Sequence, residues 1–377
     1  MQFSPDVLAQ MRGCRPYEQR PLPKHPENHF VTPISKEELS EIPEKVKLFK
    51  VRNPGQIERL ERKIREAFQN SRPTSMDTNL KHRLAEELQE LAIRVFPQCF
   101  VVIGGSVATT LASKQGDVDV CLFTLDAKGR AENSSDQLQR FHADILRSKP
   151  SFIAKSEFIG HAKVPVLKLT CNRQYNYLKV DIAHNQPQSL PANHLIYHYV
   201  QFDERVAMLI FAAKSWAAKA GILDSFHGRL NSYAITLMVI HFLQSACSPS
   251  ILPNLDALFP GTFLPPSHSW ARSHDGCIDE NLKKHMPENH SSVAELFLGL
   301  IVYYANFPWN KDTIDVRNGT RQKRGPIFRR IQLSIEDLYD KRNTTENTYL
   351  GYDTIVEKFK NVADVIEKRT MDIDNLF

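Results

Sequence analysis

Two carboxylates follow a glycine–serine turn in the first half of the chain. The turn is Gly104-Gly105-Ser106, and the acids are Asp117 and Asp119. The pattern predicts a short helix from Val107 to Lys114 and a strand from Asp117 to Phe123. Because side chains alternate along a strand, both carboxylates would share one face. Carboxylates this close repel each other unless cations lie between them, and Mg²⁺ accepts such ligands while it holds substrate phosphates.

Asp181 supplies a third carboxylate from a second alternating segment, Leu178 to Ile182. Three acids from two neighbouring strands would form a site for two divalent ions, Mg²⁺ or Mn²⁺, roughly 3.5–4 Å apart. Such ions activate an attacking hydroxyl and stabilise a leaving pyrophosphate. Backbone N–H groups at the start of the helix after Ser106 would hold the charge of a triphosphate. A second pair of acids, in Asp372-Ile373-Asp374, has no such turn before it and is expected to be solvated.

The elements that would position these residues divide the chain into four segments. Residues 1–53 are rich in proline and predict a poorly ordered leader with a helix near Lys36 to Glu44. Residues 54–98 predict two N-terminal helices, at 57–68 and 82–96. Residues 99–190 predict a catalytic domain, and residues 191–370 predict a helical domain with long helices at 203–220, 230–246 and 291–306. The predicted fold class is α/β (α+β) with a mixed sheet, plus a mainly helical domain, with the active site in the cleft between them.

Composition agrees with an intracellular protein. Apolar residues make up 42% of the chain and charged residues 24%, which is ordinary for a globular protein. The six cysteines form no CxxC pair, which argues against zinc ligation and against a disulfide framework. No signal peptide and no apolar stretch of membrane-spanning length is evident, so we expect a cytoplasmic protein without a membrane partner. A net charge of +5 suits a polyanionic partner but is too small to indicate RNA by itself.

Six short motifs occur in an order and spacing typical of one family. They are Gly104-Gly105-Ser106, Asp117 with Asp119, Val180-Asp181-Ile182, Lys214-Ser215-Trp216-Ala217, Leu230-Asn231-Ser232-Tyr233 and Ile335-Glu336-Asp337-Leu338-Tyr339-Asp340. On these motifs the chain resembles the cytoplasmic poly(A) polymerase and terminal uridylyltransferase family, within the polymerase-β-like nucleotidyltransferases. The resemblance runs from about Leu84 to about Lys368. Ile251-Leu252-Pro253 and the segment from Tyr303 to Asn310 look most like the germline cytoplasmic poly(A) polymerases.

The resemblance implies nucleotide contacts beyond the three aspartates. Gly105 and Ser106 would form part of the phosphate site, with Lys214 on the triphosphate and Ser232 on a phosphate. Tyr233 would stack on the base. A lysine on a rigid helix is a sound phosphate partner, and a tyrosine face suits any nucleobase. Alternatively, Lys214 could extend to solvent, and Tyr233 could be an ordinary core aromatic.

The sequence departs from the family pattern at two positions. Many relatives carry a second lysine where this chain has Ala218, and the adjacent Lys219 would point about 100° round the helix. Relatives often have two asparagines after the strand of the third aspartate, one of which touches the ribose, whereas the second position here is Gln186. Asn193 is a possible replacement contact to the ribose or base, with an offset of one residue.

Asn343 lies at the position that the resemblance connects with the choice of base. In the uridylyl-adding relatives a histidine there narrows the pocket around uracil. An amide leaves room for a purine and offers adenine both a donor and an acceptor. ATP is therefore favoured over UTP, although Asn343-Thr344-Thr345 is also typical of a solvent-facing turn. Asp340 matches the family's acidic residue at the base edge, and Asp337 matches the acidic residue before it.

A cationic segment precedes this nucleotide-recognition loop, which we place near residues 335–345. Its members include Arg321, Lys323 and Arg324, which could grip the backbone of an RNA 3′ end or lie in a solvated loop. No RRM, KH module or zinc knuckle is evident in the sequence. We therefore expect a separate RNA-binding protein to select the RNA.

The sequence predicts a polynucleotide adenylyltransferase that acts without a template. The RNA 3′-hydroxyl would attack the α-phosphate of ATP at a site with two metal ions, and repeated cycles would build a homopolymeric tail. Two alternatives stay open: a terminal uridylyltransferase, and a catalytically inactive fold that serves as a scaffold in an RNA-regulatory complex. The three aspartates argue against the scaffold, whereas Ala218 and Gln186 keep it open.

Overall fold

The computed structural model describes residues 36–125, 136–161, 164–186, 189–259, 263, 280–324, 333–339, 342–368 and 376. These residues form two compact units. Those from Ser71 to Tyr197 make up the sheet unit, and those before Ser71 or after Tyr197 make up the helical unit. The helices within the described ranges are α1 (Lys36–Arg52), α2 (Pro54–Ser71), α3 (Ser75–Val95), α4 (Gly105–Ala108), α5 (Asp136–Ser148), α6 (Ser189–Phe202), α7 (Glu204–Lys219), α8 (Ser232–Ser245), α9 (Leu255–Leu258), α10 (Val293–Ala305) and α11 (Tyr352–Lys368).

The sheet unit is built on a five-stranded mixed sheet. Its strands are β1 (Cys99–Ile103), β2 (Val118–Thr124), β3 (Ile153–Ile159), β4 (Val166–Cys171) and β5 (Lys179–His184), in the order β1-β2-β5-β4-β3. β2 and β5 run parallel, and the other neighbouring pairs are antiparallel. The predicted mixed sheet is therefore confirmed.

The helices α3 and α5 cover one face of this sheet. Leu84, Leu88 and Leu91 recur at helical spacing on α3 and are buried against the sheet. α3 begins at Ser75 and not at the predicted His82, because Thr74 and Asp77 form a capping box that satisfies its first N–H groups. This helix was predicted to lie in a separate N-terminal segment, whereas it belongs to the core of the sheet unit.

The helical unit is organised around helices that are apolar on almost every side. All but the first two residues of α8, and every residue of α10 except Glu295, are buried. α10 begins with a capping box between Ser292 and Glu295. A two-stranded antiparallel hairpin, β6 (Asp312–Asp315) and β7 (Thr320–Lys323), follows α10 in the chain. No described helix is long and apolar enough to cross a membrane.

Two elements differ from the sequence-based expectation. The leader was expected to be poorly ordered with a helix near residues 36–44, but α1 continues to Arg52 and packs on α10 and α11. Val46 and Phe49, three residues apart, are buried there and explain the longer helix. The rest of the predicted leader lies outside the described residues. The helix after the glycine–serine turn is α4, one turn long, and it ends before Thr110, whose φ of 59° is left-handed.

We expect Leu88→Ala to destabilise the sheet unit by about 2–5 kcal/mol, because Leu88 is fully buried and its loss leaves a cavity. Urea unfolding followed by circular dichroism would measure the change. Met76→Ala, on the exposed surface of the same helix, should change the free energy of unfolding by less than about 0.5 kcal/mol. Equal effects of the two substitutions would contradict this assignment of the core.

Candidate active site

The parallel register of β2 and β5 brings the three predicted aspartates to one face of the sheet. Asp119 on β2 and Asp181 on β5 are direct partners in that register. Asp117 lies two residues before Asp119, immediately before β2. Residues paired across strands, and residues two apart along one strand, point to the same face. The intervening Val118 and Val180 are fully buried on the opposite face.

The glycine–serine turn is built around Asp119. The Gly104 N–H donates a hydrogen bond to the Asp119 carbonyl at 2.8 Å, and the Ser106 N–H donates to the Asp119 carboxylate. Gly105 has a left-handed φ of 56°, and a Cβ added to it would overlap the Asp119 carboxylate. Only glycine fits this position. The Ser106 N–H, just before the N–H groups that were predicted to hold a triphosphate, therefore binds a side chain of the protein.

Asp119 lies in an electrostatic environment that disfavours its charged form. Loss of hydration raises the pKa of Asp119, and the negative charges of Asp181 and Asp117 raise it further. The Ser106 N–H and the Lys168 ammonium lower the pKa in part. A bound cation would remove the repulsion among the three acids.

Lys168 is a residue that the sequence interpretation missed. It is paired with Asp181 in the antiparallel register of β4 and β5, and its Nζ lies 2.8 Å from the Asp181 carboxylate. The hydrogen bond that Lys168 donates to the Asp181 carboxylate raises the pKa of Lys168. The alternation Leu167-Lys168-Leu169 placed Lys168 on the polar face of a strand, but only the pairing register shows which acid it meets.

The side chains as they stand do not form a closed metal cage. Within the residues that the structure describes, no group of three or more His, Cys, Asp and Glu side chains is arranged to hold a metal ion. The Asp181 carboxylate contacts the ammonium of Lys168 instead. The three aspartates thus share a face and repel one another, and their role as metal ligands stays a prediction.

Asn193 lies beside the glycine–serine turn. Its Nδ2 is buried and has no hydrogen-bond partner among the described residues. It packs close to Gly104, since a Cβ added to that glycine would lie 3.2 Å from the Asn193 Nδ2. A buried donor without a partner is costly, and a ligand oxygen would satisfy it. Gln186, at the other position considered for the ribose, donates its side-chain N–H to the His184 carbonyl at 3.1 Å.

In the helical unit, the start of α8 and the recognition loop are joined. Asn231 caps α8 by accepting from the Ala234 N–H, and it also donates to the Thr344 carbonyl at 3.1 Å. Ser232 is exposed and Tyr233 half-buried at the first turn of this helix. The Tyr233 hydroxyl lies beside Asp337 and the Leu338 N–H, without a well-formed hydrogen bond to either. Burial, with the charge of Asp337 second, raises the pKa of Tyr233.

The predicted phosphate lysine lies on α7, which packs against α8. Lys214 is half-buried. Ala218 and Lys219 are both exposed at the end of the helix. The exposure of Lys214 and Lys219 is compatible with the predicted phosphate contacts, which stay predictions.

Asn343 is occupied within its own loop. Its Oδ1 accepts from the N–H groups of Ile335 and Thr345, at 3.0 and 3.1 Å, and its Nδ2 donates to the Leu333 carbonyl at 2.9 Å. These hydrogen bonds fix the shape of the loop. The pairing of this amide with adenine stays a prediction. Asp340, predicted at the base edge, lies outside the described residues.

The recognition loop also borders a polar cavity of about 590 Å³. Asp337, Tyr339 and Asn343 line it from the loop, and Asp315 and Arg317 line it from the hairpin side. The Arg317 guanidinium lies 5.2 Å from the centre of the Tyr339 ring. Two predicted nucleotide residues thus face a space that is lined by charged groups.

The predicted RNA-binding cations have internal partners. Arg321 is largely buried and lies 3.7 Å from the Asp312 carboxylate. Arg324 donates to the Trp309 carbonyl at 2.6 Å. Lys323 also pairs with Asp312, at 2.8 Å, but its side chain is 81% exposed. The cluster therefore stabilises the hairpin, and among these three cations only Lys323 presents most of its side chain to solvent.

Comparisons with known proteins agree with this fold. Residues 60–201 match the family described as poly(A) RNA polymerase, mitochondrial-like, central palm domain. The poly(A) RNA polymerase GLD2-A of Xenopus laevis is 28% identical over 299 residues, which cover 78% of this chain and 57% of that protein. The human poly(A) RNA polymerase GLD2 is 27% identical over 319 residues, 81% of this chain and 64% of that protein. The chain thus spans between half and two thirds of the length of these two relatives.

Solved structures share the fold. A GLD-2/RNP-8 complex superposes with a TM-score of 0.70 at 25% identity, over 85% of this chain and 98% of that one. The Cid1 poly(U) polymerase bound to MgGTP superposes with a TM-score of 0.69 at 22% identity, over 84% and 98%. The predicted polymerase-β-like nucleotidyltransferase fold is confirmed. So is the predicted resemblance to the cytoplasmic poly(A) polymerase and terminal uridylyltransferase family.

Asp119→Asn should stabilise the metal-free protein at neutral pH. The folded pKa of Asp119 lies above its ordinary value of 3.8, so the wild-type protein loses stability as pH rises from that value through the folded pKa. The amide carries no charge and can still accept from Ser106. We expect the variant's advantage in unfolding midpoint, measured in EDTA, to be smallest near pH 4 and to grow towards pH 7.

Asp77→Asn is a control that should change the stability at neutral pH in the opposite direction. Hydrogen bonds from Thr74 lower the pKa of Asp77, so its contribution to stability is present at neutral pH and is lost as pH falls. This variant should be less stable than wild type at pH 7. If Asp119→Asn also lost stability at pH 7, the repulsion described here would be wrong.

Proposed function

We propose that this chain is a template-independent RNA 3′-terminal nucleotidyltransferase that adds AMP from ATP to RNA 3′ ends. The observation that carries the proposal is the β2–β5 register, which aligns Asp119 with Asp181 beside a turn that only glycine can form. The names of the relatives, poly(A) RNA polymerases at 27–28% identity, favour adenylation. The oxygen of the RNA 3′-hydroxyl would attack the α-phosphorus of ATP and lose its proton to solvent. The bond from the α-phosphorus to the bridging oxygen would break, and pyrophosphate would leave with that oxygen.

Asp117, Asp119 and Asp181 are the proposed ligands of Mg²⁺ or Mn²⁺. Their type fits, because hard divalent cations prefer carboxylate oxygens, and their mutual repulsion favours a cation between them. When bound, the ions would supply activation of the attacking hydroxyl and neutralisation of the leaving pyrophosphate. Asp181 would first exchange the ammonium of Lys168 for this partner.

Each unit contains residues that would contact the nucleotide. In the sheet unit, Gly105, Ser106 and Asn193 border Asp119, and the Asn193 donor would suit a ribose or phosphate oxygen. In the helical unit, Lys214 and Ser232 would contact phosphates, with Lys219 as a possible second cation. The half-exposed ring of Tyr233 would stack on the base.

Base selection would depend on the recognition loop. Asp337, beside Tyr233, and Asp340 would lie near the base edge. Asn343 would act indirectly, because it holds the loop in place and is smaller than the histidine of the uridylyl-adding relatives. The space that this leaves suits a purine, which favours ATP over UTP.

RNA selection would need a partner. Lys323 is the exposed cation that could meet an RNA phosphate, and one such contact gives little sequence preference. A structural relative was solved as a GLD-2/RNP-8 complex, which supports a protein partner here. We propose a separate RNA-binding protein, with the cytoplasm as the site of action.

An extension assay tests the proposed activity directly. Purified protein would be incubated with labelled RNA, Mg²⁺ and each nucleoside triphosphate in turn. We expect longer products with ATP, and none with Asp119→Ala, whose folding is checked by its unfolding transition. Extension with UTP alone would replace the proposal with the uridylyltransferase alternative, and no extension with any nucleotide would favour the scaffold.

Gly105→Ala tests the turn. The added Cβ would displace the Asp119 carboxylate, and a misplacement of about 1 Å can lower a rate on the order of 100-fold. We expect a loss of this size in AMP addition. Gly55→Ala, whose Cβ would make an ordinary 3.5 Å contact, should keep the wild-type rate. A fully active Gly105→Ala protein would show that Asp119 does not need its observed position.

A further inference from the structure

A lysine is buried in the core of the sheet unit. Lys81 is 1% exposed and lies on the same stripe of α3 as Leu84, Leu88 and Leu91. A charged group in such surroundings costs free energy unless it is paired and hydrogen-bonded. This residue therefore has a specific partner that compensates for its burial.

The partner is the turn that leads into Asp117. Lys81 Nζ donates hydrogen bonds to the carbonyl oxygens of Ser113, at 2.9 Å, and Gly116, at 3.0 Å. The Ser113 carbonyl also accepts from the Gly116 N–H at 3.2 Å. The turn is tight, since a Cβ added to Gly116 would lie 2.9 Å from Ser113 Oγ. Gly116 is the residue immediately before Asp117, so the ammonium holds the peptide unit from which Asp117 extends.

The charge of Lys81 is also felt by two acids. Asp77 and Asp117 are close enough to favour its charged form, against the burial that lowers its pKa. The two groups to which it donates hydrogen bonds are neutral carbonyls. Lys81 thus contributes both a fixed backbone position and a nearby positive charge to Asp117.

We propose that Lys81 is a positioning residue of the catalytic centre: it anchors the Ser113–Gly116 turn so that Asp117 is held beside Asp119. The inference rests on the proposed function. If burial alone were required, an apolar side chain of similar length would serve as well or better. The two carbonyl contacts explain why a lysine stands here, because no apolar side chain can donate to them.

Measuring the affinity for a metal ion distinguishes a positioning role of Lys81 from a purely structural one. Full-length protein stripped with EDTA would be titrated with Mn²⁺ and followed by electron paramagnetic resonance, for wild type, Lys81→Met, Lys81→Arg and Lys149→Met. Unfolding midpoints without metal would be measured in parallel. The control Lys149→Met removes an exposed lysine from the same unit.

We expect Lys81→Met to weaken Mn²⁺ binding by about 10–100-fold, the usual effect of losing a residue that orients a metal ligand. The rate constant kcat for AMP addition should fall, with little change in KM for ATP. Lys81→Arg, which keeps the charge and the donors, should recover part of the affinity, and Lys149→Met should match wild type.

A folded Lys81→Met protein with wild-type Mn²⁺ affinity would overturn the inference. If Lys81→Met does not fold, Lys81→Leu, which also lacks a donor, decides by the same titration, and unchanged affinity would again overturn it. Failure of the wild-type protein to bind Mn²⁺ or extend RNA would instead overturn the proposed function. The two failures are therefore distinguishable.

Discussion

The parallel pairing of β2 with β5 imposes the constraint on which the site depends. It aligns Asp119 with Asp181 and places Asp117 on the same face, so three negative charges are forced together. The buried valines on the opposite face fix the register, because a slip by one residue would turn Val118 and Val180 outwards. The packing free energy of the core thus keeps the carboxylates where they repel one another.

The surrounding groups compensate for this repulsion in different ways. Ser106 donates a backbone N–H to Asp119, and Lys168 pairs with Asp181. Lys81 binds the turn before Asp117 from within the core. Each aspartate, or the turn that leads into it, therefore has its own supporting donor.

In the helical unit, hydrogen bonds shape a loop whose residues were expected to contact ligands. Asn343 binds the backbone on both sides of itself, and Asn231 links the start of α8 to Thr344. Arg321 and Arg324 likewise serve the hairpin. Asparagine and arginine look the same in a sequence whether they recognise a ligand or hold a loop, because both roles use the same donors and acceptors.

The sequence by itself determined the fold class, the strand that carries Asp119 and follows Asp117, and the strand that carries Asp181. Those features follow from local alternation and from short motifs, which one segment contains in full. Lys168, Lys81 and the true length of α1 could not be foreseen from the sequence. The roles of these residues depend on partners distant in the chain: Asp181 across β4 and β5, a turn more than thirty residues away, and the helices α10 and α11. Only tertiary structure decides such pairings, since they arise from the register and packing of whole elements.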